Sequence, residues 1–114
     1  MEANQFIGLL LYSRDAMHLR HWETTSLFEH EALGEYYEGI LPLIDDFAED
    51  FFAIKGRKKI TILEVESEES VPHLKEVMSM IEAERKNYNS ALQNILDEMI
   101  GLISKTLYRL TLKN

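Results

Sequence analysis

The sequence predicts an all-α protein, a four-helix bundle built from two helical hairpins joined by a long crossover connection. Three observations carry that reading. Apolar residues recur at three- and four-residue steps through most of the 114 residues. With 46% hydrophobic residues, two prolines and five glycines, the composition suits a helix-rich globule rather than a disordered or fibrous chain. The periodicity fails over one long stretch, residues 56 to 71, so the helices fall into two pairs. A chain of this length makes one domain, 1–114.

The first helix is expected over 3–23. Ile7, Leu10, Leu11, Arg14, His18 and His21 fall near one face, with Phe6, Leu9 and Met17 alongside. Thr24, Thr25 and Ser26 are helix-start residues, and Ser26 followed by Glu29 fits a capping box that opens a second helix, 27–55. Two helices joined so tightly run antiparallel as neighbours. Leu33, Tyr37, Ile40, Ile44, Phe47, Phe51 and Ile54 form the expected core stripe, and Gly56 is a natural terminator. Pro42 lies inside this helix and predicts a kink near Glu38 to Pro42.

Residues 57 to 70 pass from the basic Arg57-Lys58-Lys59 through the β-branched Ile60-Thr61-Ile62 to an acidic tract ending at Glu69. A lone extended segment cannot make a sheet with itself, so it reads as the connection between hairpins. A third helix is expected over 72–87, from Pro72 through Leu74, Val77, Met78 and Ile81, with His73 as a surface residue of its first turn. Leu92, Leu96, Met99, Ile103 and Thr106 mark a fourth over 90–112. The pattern barely loses phase between the two, but Asn87, Asn89 and Ser90 are turn and cap formers and place a break there.

The chemistry concentrates between His18 and Glu49. Three of the four histidines, His18, His21 and His30, lie there, followed by Asp45, Asp46 and Glu49. On one continuous helix His30 and Asp45 stand roughly 22 Å apart, at about 1.5 Å per residue. Metal ligands must lie about 2 Å from the ion, so these groups of one chain cannot hold the same ion. Asp45 and Glu49 can, being one turn apart. A site using both clusters needs two copies of the chain.

The pattern His18-x-x-His21-Trp22, then His30, then Asp45-x-x-Ala48-Glu49 with Phe52-Ala53-Ile54 and Gly56 resembles the first hairpin of Dps proteins, the mini-ferritins of the ferritin-like superfamily. The resemblance covers about residues 5 to 56. It is nearest to short Dps-like proteins encoded by tailed phages, through Thr24-Thr25-Ser26, Tyr36-Tyr37-Glu38-Gly39 and the later run from Leu92-Gln93-Asn94 to Thr106-Leu107-Tyr108. It implies a ferritin-like bundle with iron as its metal, zinc being the other ion such ligands take. The implied site is shared across a dimer interface, with His21 and His30 from one subunit, Asp45 and Glu49 from another, and Trp22 nearby. It further implies ferroxidase activity, Fe²⁺ to Fe³⁺, and a homo-oligomer of at least a dimer, in the family a twelve-subunit shell. In the family an acidic ligand follows the second histidine by four residues; here that position is Gly34, with Glu35 beside it and Glu31 and Glu38 a turn away. His18, Glu31, Glu35 and Glu38 are therefore secondary candidates. The alternative is a non-catalytic phage accessory or interaction protein that keeps the oligomeric bundle and binds a host or phage protein without oxidising iron.

Other classes are disfavoured. A net charge of −8 without a lysine-rich tail opposes binding to nucleic acid. The absence of cysteine removes disulfides and thiolate sites and fits a cytoplasmic protein. The run Phe6–Leu11 is too short to span a membrane and lacks the basic start of a signal peptide. On the expected helices outside the first hairpin, Asp97 and Glu98 are the remaining paired carboxylates, and no Glu-x-x-His motif supplies a di-iron site within one chain.

Overall fold

A computed structural model describes residues 1–112. Four α-helices form: α1 (Ala3–Glu23), α2 (Leu27–Lys55), α3 (Ser70–Glu84) and α4 (Ser90–Arg109), with one 3₁₀ turn, Arg85–Asn87, before α4. The described residues contain no strand. The 46 Å long axis of the molecule matches the length of α2, about 43 Å at 1.5 Å per residue. No helix is long and apolar enough to cross a membrane.

Local chemistry sets most helix ends. The Ser26 hydroxyl accepts from Glu29 N–H at 3.3 Å, and Gly56 leaves α2 at φ 89°, a conformation that side chains resist. The expected capping box is only half made, because the Glu29 carboxylate turns away to Ser70 and Arg20. The Asn89 side chain caps α4 by accepting from Leu92 N–H, which makes the predicted break real. α3 begins two residues earlier than expected, so Pro72 occupies its first turn, where no backbone bond is lost. α4 stops at Arg109 rather than 112. α2 runs through Pro42 without interruption; Pro42 lies on the exposed side, where water can satisfy the carbonyl it leaves unpaired.

The helices close a ring, α1 on α2, α2 on α4, α4 on α3 and α3 on α1. Ser13 of α1 meets His73 of α3 while the Met1 amino group reaches Glu84, so α1 and α3 run antiparallel. Gly39 against Leu102 and Glu35 against Arg109 show the same for α2 and α4. The core contains Phe6, Leu10 and Met17 of α1, Leu33, Ile40 and Phe47 of α2, and matching stripes of α3 and α4. Two expectations about it fail. Tyr36, not Tyr37, is fully buried on α2, because Ser13 of α1 receives its hydroxyl while Tyr37 is drawn outward by His18 and Arg14. Ile54 is exposed, lying in the last turn of α2 beyond the reach of its neighbours.

Residues 57 to 69 form an irregular strap that returns along the outside of α1 from the Gly56 end to the Thr24–Ser26 turn. It crosses α1 at Gly8, where an added Cβ would stand 2.6 Å from the Thr61 carbonyl oxygen. That contact is backbone to backbone and has no flexible atom to yield. Gly8→Ala should therefore lift the strap, seen as faster tryptic cleavage after Arg57, Lys58 or Lys59 and a lowered melting temperature. Gly101→Ala, where a Cβ meets nothing within 4 Å, should instead stabilise the protein by about 0.5–1 kcal/mol.

Candidate functional site

The short turn between α1 and α2 brings His21 and His30 face to face, with ring centroids 3.7 Å apart and planes 16° from parallel. Each ring is tied to the other's backbone. His21 Nδ1 lies 2.5 Å from the carbonyl oxygen of His30, and His30 Nδ1 lies 2.8 Å from that of His21. A carbonyl oxygen only accepts, so both Nδ1 atoms carry the proton and donate it. In the neutral rings the lone pair is then on Nε2, and neither Nε2 has a hydrogen-bond partner among the described residues.

Gly34 makes this arrangement fit. A Cβ there would lie 3.2 Å from His21 Cε1, so the ring rests directly on the backbone of α2. The space a side chain at residue 34 would take is occupied by the His21 imidazole.

Beside the pair, His18 stacks on Tyr37 with centroids 3.8 Å apart, and the Arg14 guanidinium sits 5.3 Å from the centre of the same ring. Burial, with the charge of Arg14 beside it, lowers the pKa of His18. Trp22 leans on His18 at 4.3 Å but is 66% exposed, so it does not pack the hairpin.

The remaining predicted ligands are elsewhere. Asp45 and Glu49 are exposed on one face of α2, far along its length from the histidines. Glu35 pairs with Arg109, Glu31 shares a shallow hollow with that pair, and Glu38 is exposed. Among the described residues, no three His, Asp or Glu side chains of one chain come together to hold a metal ion.

A second constellation was not expected from the sequence. Ser13 Oγ lies 2.9 Å from the Tyr36 hydroxyl and 2.8 Å from His73 Nε2, joining α1, α2 and α3 inside the core. His73 is buried rather than exposed, as its place in the stripe Ser70, His73, Val77, Ile81 could have indicated. Burial pushes the Tyr36 hydroxyl up to about 12 and lowers the pKa of His73. With His73 neutral and its proton on Nδ1, Tyr36 donates to Ser13 and Ser13 to Nε2, so both buried hydroxyl protons have an acceptor. A protonated His73 would donate to Ser13 instead and strand a buried hydroxyl hydrogen. Tyr12, whose ring lies near His73, donates to Glu68 of the strap at 2.7 Å. At the turn end, Ser70 donates to Glu29 at 2.5 Å and Arg20 approaches the same carboxylate at 3.4 Å. Burial works against the Glu29 charge, but these donors and Thr24 outweigh it and lower its pKa. Of these residues, Tyr12, Glu68 and His73 also line an open hollow with Leu9, Glu76 and Met80.

The family model described as family of unknown function DUF5856 matches residues 21–110, and the chain belongs to that family. It is also similar to a protein of Enterobacteria phage T4, the uncharacterized 14.6 kDa protein in the mobD-ri intergenic region. The two are 25% identical over 115 residues, covering 98% of this chain and 90% of that protein. No solved structure matches. The findings support a phage protein; none of them is to a Dps or other ferritin-like family.

Two measurements check the buried network. Tyr36→Phe should cost about 1 kcal/mol, whereas Ser13→Ala, which orphans both partners, should cost about 2–3 kcal/mol in denaturant unfolding. The lowered pKa values of His73 and His18 mean that the unfolded chain takes up protons first as pH falls. Stability should therefore decline as pH drops below about 6.5, the unfolded histidine value, until the folded-state histidines protonate as well. Replacing His73 with Gln should flatten that decline.

Proposed function

We propose that this member of a family of unknown function is a metal-binding protein of ferritin-like build, its site shared between two copies. His21 and His30 of one copy and Asp45 and Glu49 of the other hold the ion. The observation that carries the reading is the reciprocal lock of the two imidazoles. Metal-binding histidines characteristically commit their other ring N–H to a carbonyl or carboxylate, which fixes the tautomer and aims the lone pair. Both rings meet that condition here, and neither Nε2 has a partner among the described residues; the rings, stacked 3.7 Å apart and 16° from parallel, must turn toward one another for both in-plane lone pairs to reach one ion. Imidazole with carboxylate suits Fe²⁺ or Zn²⁺ better than Ca²⁺ or Mg²⁺.

Two ligands do not complete a site, and the carboxylates of the same chain are about 22 Å away along an unbroken helix. A second copy laid antiparallel along α2 supplies them. The topology supports the ferritin-like build: all neighbouring helices are antiparallel, with one long connection between the hairpins. Fe²⁺ would be held as cargo or substrate, and a two-fold dimer is enough for that; a twelve-subunit shell is not required. Gly34 favours a second reading, an interaction protein without iron oxidation, because the ring of His21 fills the place of an acidic ligand.

Zn²⁺ and Fe²⁺ uptake by equilibrium dialysis tests the proposal. His30→Ala and Asp45→Ala should each abolish tight binding with helix content intact. After subunit exchange between these variants, half the dimers are mixed and each mixed dimer keeps one whole site of two, so about a quarter of wild-type binding should return. Unchanged uptake in either variant, or no return after proven exchange, would leave the interaction reading in its place.

A further inference from the structure

The strap is the part of the chain whose backbone is least employed. No residue from 57 to 65 takes part in a backbone–backbone hydrogen bond among the described residues. Length shows that its middle is extended. Thr61 lies over Gly8 of α1, and Val65 shares a hollow with Asp15, His18, Leu19 and Trp22. From Gly8 to the near edge of that group, Asp15, is seven residues of helix, roughly 10 Å, and to its middle about ten, roughly 16 Å. Four steps of fully extended chain span at most about 14 Å, so Val65 reaches the near part of the group only with the segment from Thr61 well extended.

In an extended chain the backbone groups of successive residues point to opposite edges. The Thr61 carbonyl faces α1, so Ile60, Ile62 and Glu64 carry their N–H and C=O on the outer edge. Ile62 is 42% exposed and Leu63 65% exposed. The charges are graded, with Arg57, Lys58 and Lys59 before this segment and Glu64, Glu66 and Glu68 in and after it.

We propose that the strap is a self-pairing edge: two copies of the chain join as an antiparallel β-ribbon about a two-fold axis through Ile62. In this register Ile62 pairs with its own copy, Ile60 with Glu64, and Lys58 with Glu66, each of the latter twice. The outer-edge residues 60, 62 and 64 then exchange hydrogen bonds, as the parity requires. Charge selects the occupant and the direction. A second copy laid antiparallel sets each basic start against an acidic end, whereas a parallel copy would set cation against cation and anion against anion. Strand addition to an unpaired edge satisfies backbone groups that have no backbone partner among the described residues. Leu63, with Met1, Leu9 and Gln5, borders an apolar hollow beside the ribbon that the second copy would cover. The pairing does not depend on the metal reading, since a dimer built through another face would carry the His21–Asp45 site and still fail the test below.

Light scattering of the intact protein at micromolar concentration should give a dimer. Ile62→Pro removes the central N–H, which has no backbone partner among the described residues, and should yield a monomer with unchanged circular dichroism. Lys58→Glu and Glu66→Lys should each weaken the dimer about tenfold, and the double variant should restore it. The chain has no cysteine. Ile62→Cys should therefore form a disulfide-linked dimer on mild oxidation, whereas Lys58→Cys, about 26 Å from its own copy in this register, should not. A monomeric wild type, or a dimer indifferent to Ile62→Pro and to the charge reversals, overturns the proposal.

Discussion

The arrangement of the second hairpin depends on one contact, the Thr61 carbonyl oxygen lying where a side chain at residue 8 would stand. Because residue 8 is glycine, the strap can lie flat against α1 and return from the Gly56 end of α2 to the Thr24–Ser26 turn. α3 then begins beside that turn, where Ser70 donates to Glu29, and runs antiparallel to α1. A short connection would have started α3 at the opposite end and run it antiparallel to α2. The same four helices would then have closed in a simple up-and-down order. The strap therefore decides topology, and its cost is a length of backbone with no internal hydrogen-bond ladder.

What could be read from the sequence follows how local the governing chemistry is. The ends of α2 and the start of α4 were legible, because Ser26, Gly56 and Asn89 act on groups within four residues of themselves. The stripes of α3 and α4 were legible because each has one apolar face. On α2 the sequence offers Tyr36 and Tyr37, about 100° apart around the helix, both with an apolar body and a polar tip. The choice is made by other helices: Ser13 takes the hydroxyl of Tyr36, while His18 and Arg14 take the ring of Tyr37. His73 was misread for a related reason. Its phase is that of a core residue, but its acceptability there rests on Ser13, sixty positions away.

The candidate site was legible as residue types and as a distance, and illegible as geometry. The separation of His30 from Asp45 follows from helical rise alone, and α2 is unbroken between them. The reciprocal Nδ1 bonds that hold His21 and His30 depend on how a three-residue turn sets two helices, which spacing does not reveal. Gly34 is the instructive case. Compared with a ligand pattern it is an acid lost; in space it is the seat on which the His21 ring rests, and any side chain there would press on the imidazole.

Two features of the chain, unrelated in chemistry, call for the same orientation of a second copy. The imidazole pair lies at the start of α2 and the carboxylate pair in its second half, so an antiparallel neighbour is what would set the one pair against the other. On the strap the basic and acidic runs lie at opposite ends, so only an antiparallel neighbour brings unlike charges together. The strap from Thr61 to Val65 follows α1, and α1 is antiparallel to α2, so one two-fold axis across the bundle reverses both at once. The net charge of −8 sharpens the preference. Two such molecules repel at long range, and a stable contact between them must place cations against anions locally to offset that repulsion. An antiparallel pairing of the straps does so twice over.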